Sequence, residues 1–455
     1  MLAMVRIQGA PIPPRRTDDR ITARKTWLSA VPILVFFVVV TGLSVRAALL
    51  MNVPGEPNFH QWVMQDFRDG TYYPVVSFLN GGNPYDAARH LQSYPVRQTF
   101  SPYSPLYLLV HAPFGLVPQN LSQWLFFALT IGLTLVLGYV VLRMCASRPT
   151  MSAVLGIAAL ALASRPGHWN LLLGQPTLEF VIAVYVAMYV GKRSPWAAGV
   201  ALAVATMKPT FGVPLAVLML AQGSYRAVAA GLGIAAALTL VPTAILMASA
   251  GGVVPLVASA WDSYVNFGQT LADSPLLCPT RVDAAAIVGR VSGEPLGPTV
   301  EIVIFLLLVG LAAAALRRVN LTTTDLAGRL FGVSVACVAI LVATYHQSYC
   351  ALLLLLPLTA LVLNRWAPAE FAAPPAVRYV LISLLSIPAV NYFASFSGPV
   401  ELGPGSGLWR LVTAMNGVAL LGALAIYVAI AYRPRASTAA DAAADSTEGF
   451  VSRSV

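Results

Sequence analysis

Two carboxylates three residues apart, Asp66 and Asp69, sit in the stretch Gln65–Asp86, QDFRDGTYYPVVSFLNGGNPYD, with the tyrosine pair Tyr72 and Tyr73. The stretch closes on a turn signal, Gly81-Gly82-Asn83-Pro84. Acids at this spacing share one face of a helix. One of them can serve as a general base that takes the proton of an attacking hydroxyl, while the other binds hydroxyls or caps the helix. The plainer reading is a helix start, where acids suit the positive end of the dipole. The surrounding text is apolar. The chain of 455 residues is 58% hydrophobic and 10% charged, against about 25% charged residues in a soluble domain.

Three further polar clusters break that text: Gly174-Gln175-Pro176-Thr177 with Glu179, Met207-Lys208-Pro209-Thr210, and Tyr345-His346-Gln347-Ser348-Tyr349. Lys208 is one of three lysines, beside Lys25 and Lys192. It reads either as an interfacial side chain that snorkels or as a compact cation for a phosphate oxygen. His346 is either a satisfied structural group or a donor to a leaving phosphate. Gln175 offers a neutral amide to sugar or phosphate. Glu179 is the carboxylate expected to pair with a cation such as Lys208 or Arg165. Two acids three apart, with only Asp86 nearby, make a poor metal site, so none is assigned. The four cysteines show no ligand spacing; a disulfide between Cys278 and Cys350 stays open. Nothing resembles a phosphate-cradling glycine loop, which argues against a nucleotide donor.

The elements that must position these residues are apolar runs of membrane-spanning character. They fall at 27–50, 121–142, 151–164, 176–190, 195–208, 211–223, 227–249, 298–316, 328–345, 349–364, 376–394 and 408–432. Several are shorter than the roughly 20 residues a bilayer needs. Such pieces must be buried in protein or line a cavity. Leu106–Val117 reads as a re-entrant or interfacial piece. The fold class is an all-α polytopic membrane protein with about 11–13 transmembrane or re-entrant helices, whose first outer loop carries short helices.

A net charge of +10 does not mark a nucleic-acid binder here, because Arg and Lys gather in short loops between apolar runs. Threading the chain with Arg15, Arg16, Arg20, Arg24 and Lys25 inside places Arg143, Arg148, Lys192, Arg193, Arg226, Arg317, Arg318, Arg365, Arg378, Arg433 and Arg435 inside as well. All four polar clusters then face outward. The expected organisation is a basic cytoplasmic tail at 1–26, a membrane domain at 27–432 with outer loops at 52–104 and 250–297, and a disordered cytoplasmic tail at 433–455. The first run is too long for a cleavable signal. The expected location is the plasma (inner) membrane, with both termini cytoplasmic. Four clusters on one side point to one shared, water-accessible cleft.

These residues also carry a resemblance. Asp66-Phe67, Tyr72-Tyr73, Gly82-Asn83-Pro84-Tyr85-Asp86 and Ser101-Pro102-Tyr103-Ser104-Pro105-Leu106, followed by Gly174-Gln175, Lys208-Pro209 and His346, resemble glycosyltransferase family 87. The likeness runs from Trp27 to Leu363. These are polyprenyl-phosphate-mannose-dependent α-mannosyltransferases of the GT-C class. The resemblance implies a GT-C-like bundle, an aspartate base in the first outer loop, no nucleotide, no cofactor and no metal. It implies a polyprenyl-phosphate sugar as donor, its tail in the bilayer, and leaves a lipid-linked or glycan acceptor open. Lys208 and His346 would hold the donor phosphate; Tyr72, Tyr73, Tyr103, Gln175 and Glu179 would line the substrate. Many members place the aspartate about four residues before the tyrosine pair. Here Asp66 is six before Tyr72 and Asp69 three before, so the base is Asp66 with Asp69 as the alternative. A transporter or lipid-carrier flippase would also need a polar intramembrane cavity, but its polar residues would lie at mid-membrane in related halves.

Overall fold

The computed structural model describes residues 19–53, 60–100, 103–269, 274–294, 296–320, 325–368, 373–394 and 406–433. Most of both expected tails and Ser101-Pro102 of the family-like motif lie outside them. The described residues are mostly helical, with no strand beyond two isolated bridges.

Every apolar run became a helix. Six are long and apolar enough to cross a bilayer: Ser29–Leu50, Gln119–Met144, Tyr225–Ala250, Pro298–Asn320, Leu326–Ala343 and Gly407–Ala431. Six shorter apolar helices accompany them: Met151–Ala163, Thr177–Val190, Pro195–Thr206, Pro209–Ala221, Ser348–Val362 and Pro375–Val390. The chain is thus an all-α polytopic membrane protein. Thr177–Val190 and Ser348–Val362 are packed inside protein, where backbone polar groups stay satisfied, whereas Pro375–Val390 buries only Leu381, Leu385 and Pro388. Leu326–Ala343 is the hub, with 83% of its apolar window buried. Ser29–Leu50 stands at the rim with 11% of its window buried.

The segment after the first helix folds back rather than looping free. Asn52 donates its backbone amide to the Val63 carbonyl at 3.1 Å, and the Met64 amide reaches the Leu172 carbonyl at 2.6 Å. Leu106–Val117 splits into two short helices, Pro105–Val110 and Ala112–Gly115. The long segment after Ala250 holds an amphipathic helix, Val253–Gln269. Val254, Val257, Trp261 and Tyr264 form an exposed apolar stripe. On its other side Ser259 receives the Asn83 amide at 3.0 Å, and Ser263 donates to the Phe100 carbonyl at 2.6 Å. An exposed apolar stripe opposite a docked polar face suits a helix lying along a lipid boundary.

Candidate active site

The stretch that carries the two aspartates is not a regular helix. Gln65–Phe67 is α-helical, Arg68–Tyr72 is a π turn, and Tyr73–Leu79 is α-helical again. A π turn is wider than an α turn and is common at functional sites. Asp66 and Asp69 therefore do not share a face, and their environments diverge.

Asp69 is 1% exposed and is committed to structure. Its Oδ1 accepts from Arg68 Nε at 2.7 Å and its Oδ2 from the Arg97 amide at 3.1 Å. Burial raises its carboxyl above the usual range, while Arg68 and the Arg97 amide pull it down. Asp69→Asn leaves the buried Arg68 without its charge partner. The expected result is a stability loss of about 3–5 kcal/mol, read as a lower midpoint in a denaturant titration.

Asp66 is half-buried, and its Oδ2 accepts the Gln175 amide at 2.5 Å. Gln175 is placed by Gly174, which ends the Arg165–Leu173 helix in the left-handed region at φ +75°. A Cβ on Gly174 would stand 2.6 Å from Phe67 Cβ and 2.9 Å from Met64 Cε. Gly174→Ala therefore strains the backbone by about 1–3 kcal/mol and pushes Gln175 off Asp66. Paired thermal melts and turnover assays are expected to show both losses together.

From Gln175 the contacts lead inward. Tyr103 Oη points to Gln175 Oε1 at 3.5 Å, a long hydrogen bond. Lys208 Nζ lies 5.6 Å from the Tyr103 ring centroid and 5.8 Å from those of Phe211 and Tyr349. The Phe211 ring meets His346 edge-on at 4.5 Å. The corners are tied by backbone: the Ser104 amide donates to the Met207 carbonyl at 2.8 Å, and Thr344 Oγ1 to the Thr210 carbonyl at 3.0 Å. Asp66, Tyr103, Gln175, Lys208 and His346 thus form one continuous cluster at helix ends.

Lys208 is 1% exposed and His346 0%, so the cluster is sealed on its cationic side where an open cleft was expected. The aromatic rings of Tyr103, Phe211 and Tyr349 supply the seal. Burial, reinforced by the Lys208 and Arg281 charges, holds the His346 imidazole well below its ordinary pKa. It is neutral near pH 7 and can still donate one N–H. Lys208 is the N-cap residue of Pro209–Ala221 and Pro176 that of Thr177–Val190, so two helix N-termini add positive potential here.

Other residues meet partners that the sequence did not name. Tyr72 and Tyr73 spend their hydroxyls on the Val117 carbonyl at 3.1 Å and on Gln119 Oε1 at 2.9 Å; they hold the loop onto Gln119–Met144. Glu179 pairs with His111 at 3.2 Å, whereas Arg165 stacks on the Trp169 ring at 4.2 Å. Cys278 and Cys350 form no disulfide; both are buried thiols.

Two contributors went unread in the sequence. His111 ends a stacked column, with Tyr103 and Tyr107 centroids 4.2 Å apart and Tyr107 and His111 4.0 Å apart. Their i, i+4, i+8 spacing was the available signal. Arg281 is paired with Asp283 at 2.8 Å and bridges its strand-like backbone to Gln347. The Val282 amide donates to the His346 carbonyl at 2.9 Å, so this segment clamps the histidine corner. The charged pair Arg281-x-Asp283 in an apolar text was its signal.

An all-α membrane bundle with a carboxylate, an amide and a buried lysine meeting at helix ends defines a membrane-embedded site suited to hydroxyl activation beside an anion. The sequence model of glycosyltransferase family 87 matches residues 100–344. The chain belongs to that family and is a glycosyltransferase. The matched region contains Tyr103, Gln175, Glu179 and Lys208, while Asp66 precedes it and His346 lies just past it. No curated protein and no solved structure matches the chain.

Proposed function

We propose that the protein is an inverting transferase that moves mannose from a polyprenyl phosphate to a lipid-linked or glycan acceptor on the extracytoplasmic face of the plasma membrane. The observation that carries this is the contact path from Asp66 through Gln175 and Tyr103 to Lys208 and His346. It sets a carboxylate at the half-exposed end and cationic potential at the buried end.

In the proposed reaction the Asp66 carboxylate takes the proton of the acceptor hydroxyl as its oxygen bonds to the anomeric carbon. The bond from that carbon to the phosphate oxygen breaks, and its electron pair leaves on the polyprenyl phosphate. The Lys208 charge, buried behind Tyr103, Phe211 and Tyr349, stabilises through space the charge that develops there, aided by the two helix N-termini and by the dipole of neutral His346. Gln175 fixes the Asp66 carboxylate, and Tyr103 spans the two ends. Tyr72, Tyr73 and Glu179 act one layer back, through the loop and the His111 column. A double displacement would need a second carboxylate as nucleophile, and the best placed one, Asp69, is held by Arg68 and the Arg97 amide.

Charge supports the extracytoplasmic face. Arg143, Lys192, Arg193, Arg226, Arg317 and Arg318 sit at the ends of helices opposite the cluster, as cytoplasmic loops do. The termini are then cytoplasmic, with tails at 1–26 and 433–455, and the segments 52–104 and 250–297 are extracytoplasmic. The test is transfer by the purified protein from radiolabelled polyprenyl-phosphate mannose, beside a nucleotide-linked mannose. Label is expected in lipid-linked or glycan product from the polyprenyl donor alone; transfer from the nucleotide donor alone would refute the reading.

A further inference from the structure

The helices that bear the site at one end frame a polar cavity at the other. Its volume is about 220 Å³, and Tyr189, Lys192, Arg193, Gln222, Asn320 and Arg329 line it, with Gly328 and Gly332 forming one wall. Leu326–Ala343 runs from that wall to the His346 corner. Eighteen residues of α-helix span about 27 Å, so the cavity opens on the membrane face opposite the cluster.

Its chemistry is that of an anion site with a second requirement. Lys192 Nζ donates to Asn320 Oδ1, which holds one cation at the wall. Arg329 lies over the Tyr189 ring at 4.8 Å and donates Nε to the Asp325 carbonyl at 3.3 Å, while its Nη1 is buried without a hydrogen-bond partner. Arg193 is exposed beside them. The adjoining acid, Asp325, turns its carboxylate to the Gly328 amide at 2.7 Å, where it caps the helix. An orphaned guanidinium donor asks for an acceptor such as a phosphate oxygen. Gln222 Oε1 is likewise buried without a partner, and it asks for a hydroxyl. Apolar wall atoms from Met188, Leu316 and Val319 complete the lining, as a glycerolipid needs below its headgroup.

We propose that this cavity binds the phosphate of an anionic, hydroxyl-bearing phospholipid headgroup. The site is separate from the transfer reaction and does not depend on it. Purified full-length protein reconstituted in phosphatidylcholine, with and without phosphatidylglycerol, would be extracted and its retained lipid counted by native mass spectrometry. The wild type is expected to keep phosphatidylglycerol over phosphatidylcholine. Arg329→Gln and Arg193→Gln are expected to lower retention about tenfold, the scale of one lost charge-assisted hydrogen bond. Gly332→Leu tests the cavity without touching a charge. A Cβ there already stands 3.4 Å from Leu316 Cδ2 and 3.6 Å from Gln222 Nε2, so a larger side chain fills the space. Should one variant fail to fold, the others carry the comparison. Equal retention of the two lipids, or retention unchanged in the folded variants, would overturn the proposal. A thermal shift with inorganic phosphate in lipid-free detergent, matching that with phosphatidylglycerol, would make free phosphate the ligand and overturn the lipid assignment.

Discussion

Asp66→Asn is expected to lower kcat for sugar transfer by about 10²–10⁴-fold, the range of a lost general base. Its KM for the donor should change little, because the proton it takes belongs to the acceptor. The substitution is conservative for the fold. Asn keeps a carbonyl oxygen that can accept the Gln175 amide now bound to Asp66 Oδ2 at 2.5 Å, and the side chain is only half-buried. Initial rates at saturating donor, with the melting temperature as a folding control, decide the matter. Activity at the wild-type level would remove Asp66 from the mechanism. The contrast with Asp69→Asn is informative, since that variant should lose stability before it loses chemistry.

Lys208→Met carries the second large effect. Methionine keeps the length and apolar contacts of the side chain among Tyr103, Phe211 and Tyr349 but removes the charge. Preorganised positive charge aimed at a developing anion contributes about 2.7–4 kcal/mol to the transition state. The expected loss in kcat/KM is therefore about 10²–10³-fold. Because that stabilisation is electrostatic, Lys208→Arg should recover little: its wide guanidinium must fit a space already closed by three rings. Equal turnover by wild type and Lys208→Met, measured over a range of donor concentrations, would show that the leaving phosphate is stabilised elsewhere.

The helices were legible in the sequence because hydropathy is local. Even Met151–Ala163 and Pro195–Thr206, too short to cross a bilayer, appeared as apolar runs bounded by polar residues. That Asp66, Gln175, Lys208 and His346 lie together was legible from charge, since the Arg and Lys loops alternate with the polar clusters along the chain and so fall at opposite helix ends. What failed was local geometry. A spacing of three read as one helix face, yet the π turn at Arg68–Tyr72 sends Asp69 into the Arg68 and Arg97 contacts. No composition signal announces such a turn. The seal over Lys208 was equally hidden. It depends on Tyr103, Phe211 and Tyr349 arriving from three separate segments, which only packing brings together. Tyr72 and Tyr73 looked like ligand-facing aromatics because hydroxyls read as chemistry; their partners at Val117 and Gln119 were more than forty residues away.

The separation of the two aspartates leads to the most direct test. With Asp69 held by Arg68 and the Arg97 amide, and Glu179 facing His111, the proposed mechanism is a single displacement, with Asp66 acting on the acceptor and no covalent sugar on the protein. The measurement is the anomeric configuration of the product formed by the purified protein from a polyprenyl-phosphate mannose of known anomer, read from the one-bond carbon–proton coupling at the anomeric carbon. Inversion is the predicted result. Retention would contradict the account, because it requires a carboxylate nucleophile that neither Asp66, as base, nor the arginine-bound Asp69 supplies.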